Sequence, residues 1–455
     1  MRTRLISFFK KPHFVFLTLS LFFGTLSAFF VPQLSVNDES AHYMRAYAVS
    51  SGQLAAKKCQ YPKQVMKQAR DAVQKQYTDE YAKTIDLSDE QTAGCGSAAS
   101  YSPIMYIPQS TGILAAKAVH PSSGLLVLLG RLGNLLFYSF AIFLIIKYVR
   151  VGKWVFVAIG TFPLMIHSAA SMSGDVVNNV AILAFIALTI SLFAQKTKIS
   201  RIQMVALVLI GGIVALTKPT NVLLFFPLLF LPTKIFVKNS VNHIPFNVHK
   251  WGLGLLLAVF SLLCIALWQH IYNAPLIAAS SLHHDDVSPI RILFNTYMNP
   301  VLGYTDFITK GVVGSFSSYQ YNLPIIGLVL SYGLFATTLL YRDQLRPIES
   351  RQLRSILMTN IAVFMLFSMA ITYAMYTQWA ILPSVLGHSA TWAEGVQGRY
   401  FTPFLALLIP IGIWLRRYIR ISASTPATFG LIVFVWAGSI LAFYIFQTYW
   451  TFRLL

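Results

Sequence analysis

Long apolar runs recur from one end of the chain to the other, parted by short basic links and by three longer polar segments. Most of the runs can cross roughly 30 Å of hydrocarbon as a helix, the form that satisfies every backbone group within one segment. The pattern predicts eleven spans, at 13–32, 122–147, 152–169, 176–194, 202–217, 219–236, 251–271, 323–341, 355–376, 401–415 and 426–448. Lys218-Pro219 parts the fifth from the sixth, so that pair reads either as a tight hairpin or as one re-entrant element. No repeat or low-complexity linker divides the chain, which reads as a single polytopic domain over 1–455.

Charge orients this pattern. With the amino terminus in the cytoplasm, the inner segments hold 20 of the 35 Lys and Arg residues but only Asp343 and Glu349 among the 15 acids. The opposite orientation would place the short basic links outside, against the positive-inside rule. The expectation is therefore a multi-pass protein of a bacterial plasma membrane, with its large polar segments on the outer face. Composition agrees: 56% of residues are hydrophobic and 11% charged, about half the charged share a soluble domain needs to cover its surface. The net charge of +20 lies in short links beside apolar runs, a placement that reads as topology and argues against nucleic acid as a partner. The first apolar run lacks the small-residue site of a cleavable signal peptide.

Three outer loops are expected: 33–121, 272–322 and 377–400. In the first, Val65, Ala69, Ala72, Val73, Tyr77 and Tyr81 recur at helical spacing after Pro62, which predicts an amphipathic helix over 62–83. A shorter helix over 103–119 returns the chain to the membrane. Cys59 and Cys95 fall in this loop and Cys264 in the seventh run. Outside the cytoplasm the loop pair can oxidise, restricting the loop by ~3–4 kcal/mol, or stay as two thiols.

The stretch V-N-D-E-S-A-H-Y-M-R-A-Y at 36–47 carries the densest chemistry. Asp38 and Glu39 leave the membrane boundary together, with His42 and Arg45 close behind. A carboxylate near low dielectric can deprotonate a hydroxyl or ligate a divalent ion; the structural alternative is an acidic turn whose Asn37 or Asp38 caps the next helix. Near the other end, E-G-V-Q-G-R-Y-F at 394–401 sets Arg399 beside two glycines, Glu394, Gln397 and Tyr400. A guanidinium there can fork onto phosphate oxygens, or simply snorkel to lipid phosphates. Lys218 is an anion-binding or plain helix-end lysine. Arg131, about ten residues into the second run, lies too deep to snorkel and must face the bundle or a polar cavity. Asp175 reads as a helix-start acid opposing the dipole. His283-His284-Asp285-Asp286 reads as a solvated turn, since four adjacent loop residues rarely converge on one ion. No Walker loop or serine nucleophile elbow is present.

These motifs, in order, resemble a bacterial membrane-protein family catalogued as domain of unknown function 2142 and grouped with the GT-C glycosyltransferases. Its blocks match Asp38-Glu39-Ser40-Ala41-His42, the segment Tyr101 to Gln109 with Tyr106 and two prolines, Leu129-Gly130-Arg131-Leu132-Gly133-Asn134, Ser171-Met172-Ser173-Gly174-Asp175, Lys218-Pro219 and Gly395 to Phe401. Asn37 stands where the family often has Pro. The resemblance implies an all-α membrane bundle of the GT-C type. It also implies an inverting transferase that takes a sugar from a polyprenyl-phosphate carrier to an envelope glycan, lipid or protein. Carried over, Asp38 is the general base, Glu39 or His42 orients it or the sugar, and Arg399 holds the donor phosphate, with Lys218 and Arg131 as further candidates. Arg45, Tyr101, Tyr106, Gln109, Glu394, Gln397 and Tyr400 are implied in substrate binding. Two adjacent acids favour a metal-free reaction, with a divalent ion as the alternative. A glycan-lipid transporter would show paired discontinuous helices in two halves, and none is legible. A non-catalytic partner of a polysaccharide machine is the third reading.

Overall fold

The computed structural model describes residues 2–55, 58–65, 79–94, 98, 100–236, 247–272, 287–299, 305–316, 321–341, 348–387, 389–419 and 421–454. Among these, six helices are long and apolar enough to cross a membrane: Pro12–Phe30, Ser123–Tyr148, Asp175–Phe193, Gly252–Ile271, Ser350–Ala380 and Pro426–Thr451. Shorter apolar helices run over Arg201–Thr217, Pro219–Phe230, Ile325–Leu340 and Pro403–Leu415. These ten fall on ten of the eleven predicted runs. The third run differs. It breaks into Lys153–Gly160 and Pro163–Ala169, because Pro163 has no N–H to give and drives Phe162 to extended backbone (φ −57°, ψ 137°).

Burial grades the helices by depth in the bundle. Asp175–Phe193 is buried around nearly its whole circumference, which its all-round apolar sequence permits. At the periphery, the helix Gly252–Ile271 leaves Leu255, Leu262 and Leu263 more than 60% exposed, a surface suited to lipid rather than water. The first span packs between Ser123–Tyr148 and the last helix, Pro426–Leu454. Polar contacts in that seam are satisfied in pairs: Ser20 with Ser139 at 2.7 Å, and Tyr444 with both Ser27 at 2.8 Å and His167 at 2.7 Å.

The first long polar segment carries the helix Glu39–Ser50 and the helix Ile107–Val119, entered through a 3₁₀ turn at Pro103–Tyr106. The helix expected over 62–83 lies mostly outside the described residues, and its start is corrected: Lys58–Pro62 is a strand antiparallel to Glu90–Gly94, with Tyr61 opposite Gln91. Pro62 therefore closes the strand and the helix opens one residue later: residues 63–65 are helical, as is Asp79–Ala82. Cys59, buried on that strand, is in a disulfide and Cys264 is a free thiol; Cys95 lies outside the described residues, as does the run 283–286.

Ile107–Val119 and Ser123–Tyr148 form an antiparallel hairpin whose backbones nearly touch. A Cβ at Gly112 would stand 2.0 Å from the Leu129 carbonyl oxygen, and one at Gly133 would stand 2.4 Å from that of Pro108. The glycines of the L-G-R-L-G-N block thus serve close approach, as small residues do between membrane helices. Gly112→Ala and Gly133→Ala are each expected to cost about 1–3 kcal/mol by overpacking. Thermal unfolding in detergent checks this, and wild-type midpoints for both would refute the close-packed hairpin.

Candidate functional site

Arg131 and Glu39 are the most completely buried ion pair described, with side chains 1% and 0% exposed. Arg131 Nε donates to Glu39 Oε1 at 2.8 Å and its Nη2 to Oε2 at 2.7 Å, a fork onto both oxygens. The remaining N–H groups go to the carbonyls of Ala28, Val31 and Pro32 at 2.7–3.1 Å. Those are carbonyls that the end of the first span leaves without helical partners. All five donors of Arg131 are therefore engaged within the bundle, at the end of the first span. Glu39 is likewise saturated, accepting from the backbone N–H groups of Val36 at 3.3 Å and Met172 at 3.0 Å. It ties the Val36 turn to the Met172 backbone.

Asp38, one residue earlier, points the other way. It stands at the N-cap of Glu39–Ser50 in left-handed backbone (φ 59°, ψ 9°) and its side chain makes no cap bond. An aspartate tolerates that region better than most residues but still stores strain, of order 1 kcal/mol. Its carboxylate is half-exposed, at 49%, and accepts from Arg399 Nη2 at 2.6 Å. Arg399 Nε also lies 3.2 Å from Asp175 Oδ2, an ion pair without a hydrogen bond at that nitrogen, and Asp175 Oδ1 meets Lys218 Nζ at 3.0 Å. The order Asp38–Arg399–Asp175–Lys218 alternates sign along a single cluster, and the Lys218 ammonium lies 4.0 Å from the centre of the Tyr400 ring.

Four helix ends bring these residues together. Asp38 follows the first span, Asp175 opens the most buried helix, Lys218 closes Arg201–Thr217 in extended backbone before Pro219, and Arg399 sits in the turn Gly398–Tyr400 ahead of Pro403–Leu415. The turn is pinned from outside: a Cβ at Gly398 would stand 2.4 Å from the Gly311 backbone, and Thr402 Oγ1 donates to the Val312 carbonyl at 2.7 Å. Asp175 is held through its neighbours. Asn134 donates to the carbonyls of Ser171 and Ser173 at 2.8 and 3.1 Å, and Gln109 donates to that of Ser173 at 2.9 Å. Gln109 is thereby tied to the backbone before Asp175 through its amide nitrogen, while its side-chain oxygen is buried without a hydrogen bond.

His42 is buried, with Nδ1 2.8 Å from the Tyr106 hydroxyl and its ring stacked on Tyr101 at 6.3 Å. Burial lowers its pKa, outweighing the nearby carboxylates of Asp175 and Asp38 that would raise it, so the ring is neutral at pH 7. Burial also lifts the Tyr101 hydroxyl to about 12, leaving it a neutral donor. Arg45 turns away to the carbonyls of Gln53 and Leu54 at 2.9 and 2.5 Å. Glu394 accepts from the indole of Trp392 at 3.2 Å. Gln397 directly precedes the Arg399 turn, its side-chain oxygen buried without a hydrogen bond. The residue passed over as a site member is Asp175; the visible signal was its place in the S-M-S-G-D block. Among the described residues no three His, Cys, Asp or Glu gather as a metal site.

A family model described as predicted membrane protein, DUF2142, matches residues 21–408, and the chain belongs to that family. No curated protein matches, nor does any solved structure.

Breaking a buried ion pair from one side leaves an uncompensated charge, a loss of about 3–5 kcal/mol, whereas replacing both partners is often far less damaging. Glu39→Gln and Arg131→Met are each expected to unfold well below the wild type, while the double variant recovers much of the loss. Thermal melts of the four proteins in nanodiscs decide it. Additive effects in the double variant would mean that the two residues act independently.

Proposed function

With that family membership as the premise, we propose that this protein is a glycosyltransferase of the GT-C type. It moves a sugar from a polyprenyl-phosphate carrier to an envelope glycan, lipid or protein on the outer face of a bacterial plasma membrane. The observation that carries the reading is the half-exposed Asp38 carboxylate set against two cations, Arg399 and Lys218, at one end of a helical bundle. A sugar leaving from a lipid phosphate needs cations where negative charge develops on the departing oxygen. The attacking hydroxyl needs a carboxylate to receive its proton. In this reading Asp38 is the base, Arg399 and Lys218 hold the phosphate, Tyr400 borders it, and His42 with Tyr101 and Tyr106 forms a neutral aromatic wall for the sugar. The acceptor oxygen attacks the anomeric carbon as the bond to the phosphate oxygen breaks, which inverts configuration, and the acceptor proton passes to Asp38. Glu39 and Arg131 hold the turn from which Asp38 projects.

One observation favours a different reading. Each charge of the cluster is paired with another charge of the cluster, as a structural network in a non-catalytic assembly partner would be.

Sugar transfer from membrane-extracted prenyl-phosphate donors, assayed with purified protein in nanodiscs, separates the two. Asp38→Asn is expected to lower kcat by about 10²–10⁴, the usual worth of a general base. Arg399→Ala is expected to lose about 10²-fold or more, as removal of a charge-stabilising donor does. Wild-type rates in both variants would sink the assignment.

A further inference from the structure

We propose that the Asp38–Arg399 ion pair is a latch opened by the anionic substrate, so that the phosphate-bearing ligand must bind before Asp38 can act. This rests on the reading of Arg399 and Lys218 as an anion site. The cluster holds two carboxylates, Asp38 and Asp175, and two cations, Arg399 and Lys218. An arriving phosphate therefore meets a neutral group, and gains a net attraction only where one carboxylate gives way.

The structure distinguishes which one moves. Asp175 is 7% exposed, bridges both cations and opens the most buried helix, on a backbone held by Asn134 and Gln109. Its departure would leave a buried carboxylate unpaired, at high cost. Asp38 is 49% exposed, lacks a cap bond and meets one cation of the cluster, so its side chain can rotate outward while the turn stays in place. Arg399 itself is fixed, since Gly398 is seated on the Gly311 backbone and Thr402 is tied to Val312.

Withdrawal of Asp38 leaves Asp175 with two cations, a net charge of one. That matches a phosphodiester, which carries a single negative charge, and the exchange is charge for charge. Bound to Arg399, the Asp38 oxygen is occupied; released, it is free to accept a proton from a hydroxyl brought to the same place. The latch thus orders the reaction, donor before acceptor, and keeps the base out of use while the donor is absent.

Removing the latch carboxylate should tighten anion binding even as it destroys transfer, the reverse of what loss of an ordinary site residue does. Asn tolerates the left-handed region, so Asp38→Asn preserves the turn. The probes are methyl citronellyl phosphate, a singly charged phosphodiester, and, in parallel, inorganic phosphate at mildly acidic pH where it is a monoanion, each titrated calorimetrically onto the full-length protein in nanodiscs. Asp38→Asn is expected to bind both about tenfold more tightly than wild type, the latch having taxed the apparent affinity. Arg399→Gln is expected to weaken both by at least as much. Preference for the prenyl probe assigns a lipid headgroup and equal affinity a free phosphate; the latch stands in either case. Unchanged or weaker binding by Asp38→Asn, with Arg399→Gln impaired, overturns the latch and leaves the anion site. Unimpaired binding by Arg399→Gln overturns the anion site, and the latch with it.

Discussion

A guanidinium enclosed by a helical bundle must find five acceptors and one counter-charge, and Arg131 finds all of them at the end of the first span. That requirement organises the site around it. The carbonyls it takes fix where the first span stops, and the carboxylate it holds belongs to Glu39, so the turn between them has little freedom. Glu39 in turn accepts the Met172 N–H, which ties the same turn to the S-M-S-G-D backbone and so to Asp175. A single buried pair thereby sets the relation between two carboxylates that come from distant parts of the chain. Its desolvation is costly, and it persists here with every hydrogen-bonding group at the centre satisfied.

Two adjacent acids end in opposite environments because the backbone between them reverses. Left-handed conformation at Asp38 lets Glu39 enter the helix pointing inward, while Asp38 points toward the cluster. An aspartate, more tolerant of the left-handed region than most residues, suits the position.

The apolar helices were legible because hydrophobic length is a direct physical demand of the bilayer, and ten described helices, six of them long enough to cross a membrane, lie where the apolar runs predicted them. The break in the third run was not, although Pro163 was in plain view, since a proline inside an apolar run kinks some helices and ends others. Nor was the ladder of Lys58–Pro62 with Glu90–Gly94, whose register depends on pairing between stretches of mixed composition. At the site, residue types showed which side chains carry chemistry but not which face each other. Arg131 and Arg399 look alike as membrane-bounded arginines; only the fold reveals that one is saturated by carbonyls and the other shared between two carboxylates. Asp175 was read as a helix-start acid, which it is, and its second role depends on Lys218 and Arg399 arriving from other helix ends.

Self-neutralisation explains how four charges can gather where helix ends meet. Unpaired, any of them would draw in water or loosen the ends that bring them together; alternating in sign, they cost little more than their desolvation. The same neutrality constrains every function the cluster can have, because a ligand of either charge must replace a member rather than add to the set. Asp175 cannot be replaced without unpicking the most buried helix, and Lys218 is held between Asp175 and the Tyr400 ring. Arg399 is carried on a turn whose glycine lies against another segment's backbone. Asp38 alone among the four combines substantial exposure with a single ion-pair partner in the cluster. Whatever this family binds at that end of the bundle, exchange at Asp38 is the least costly way in.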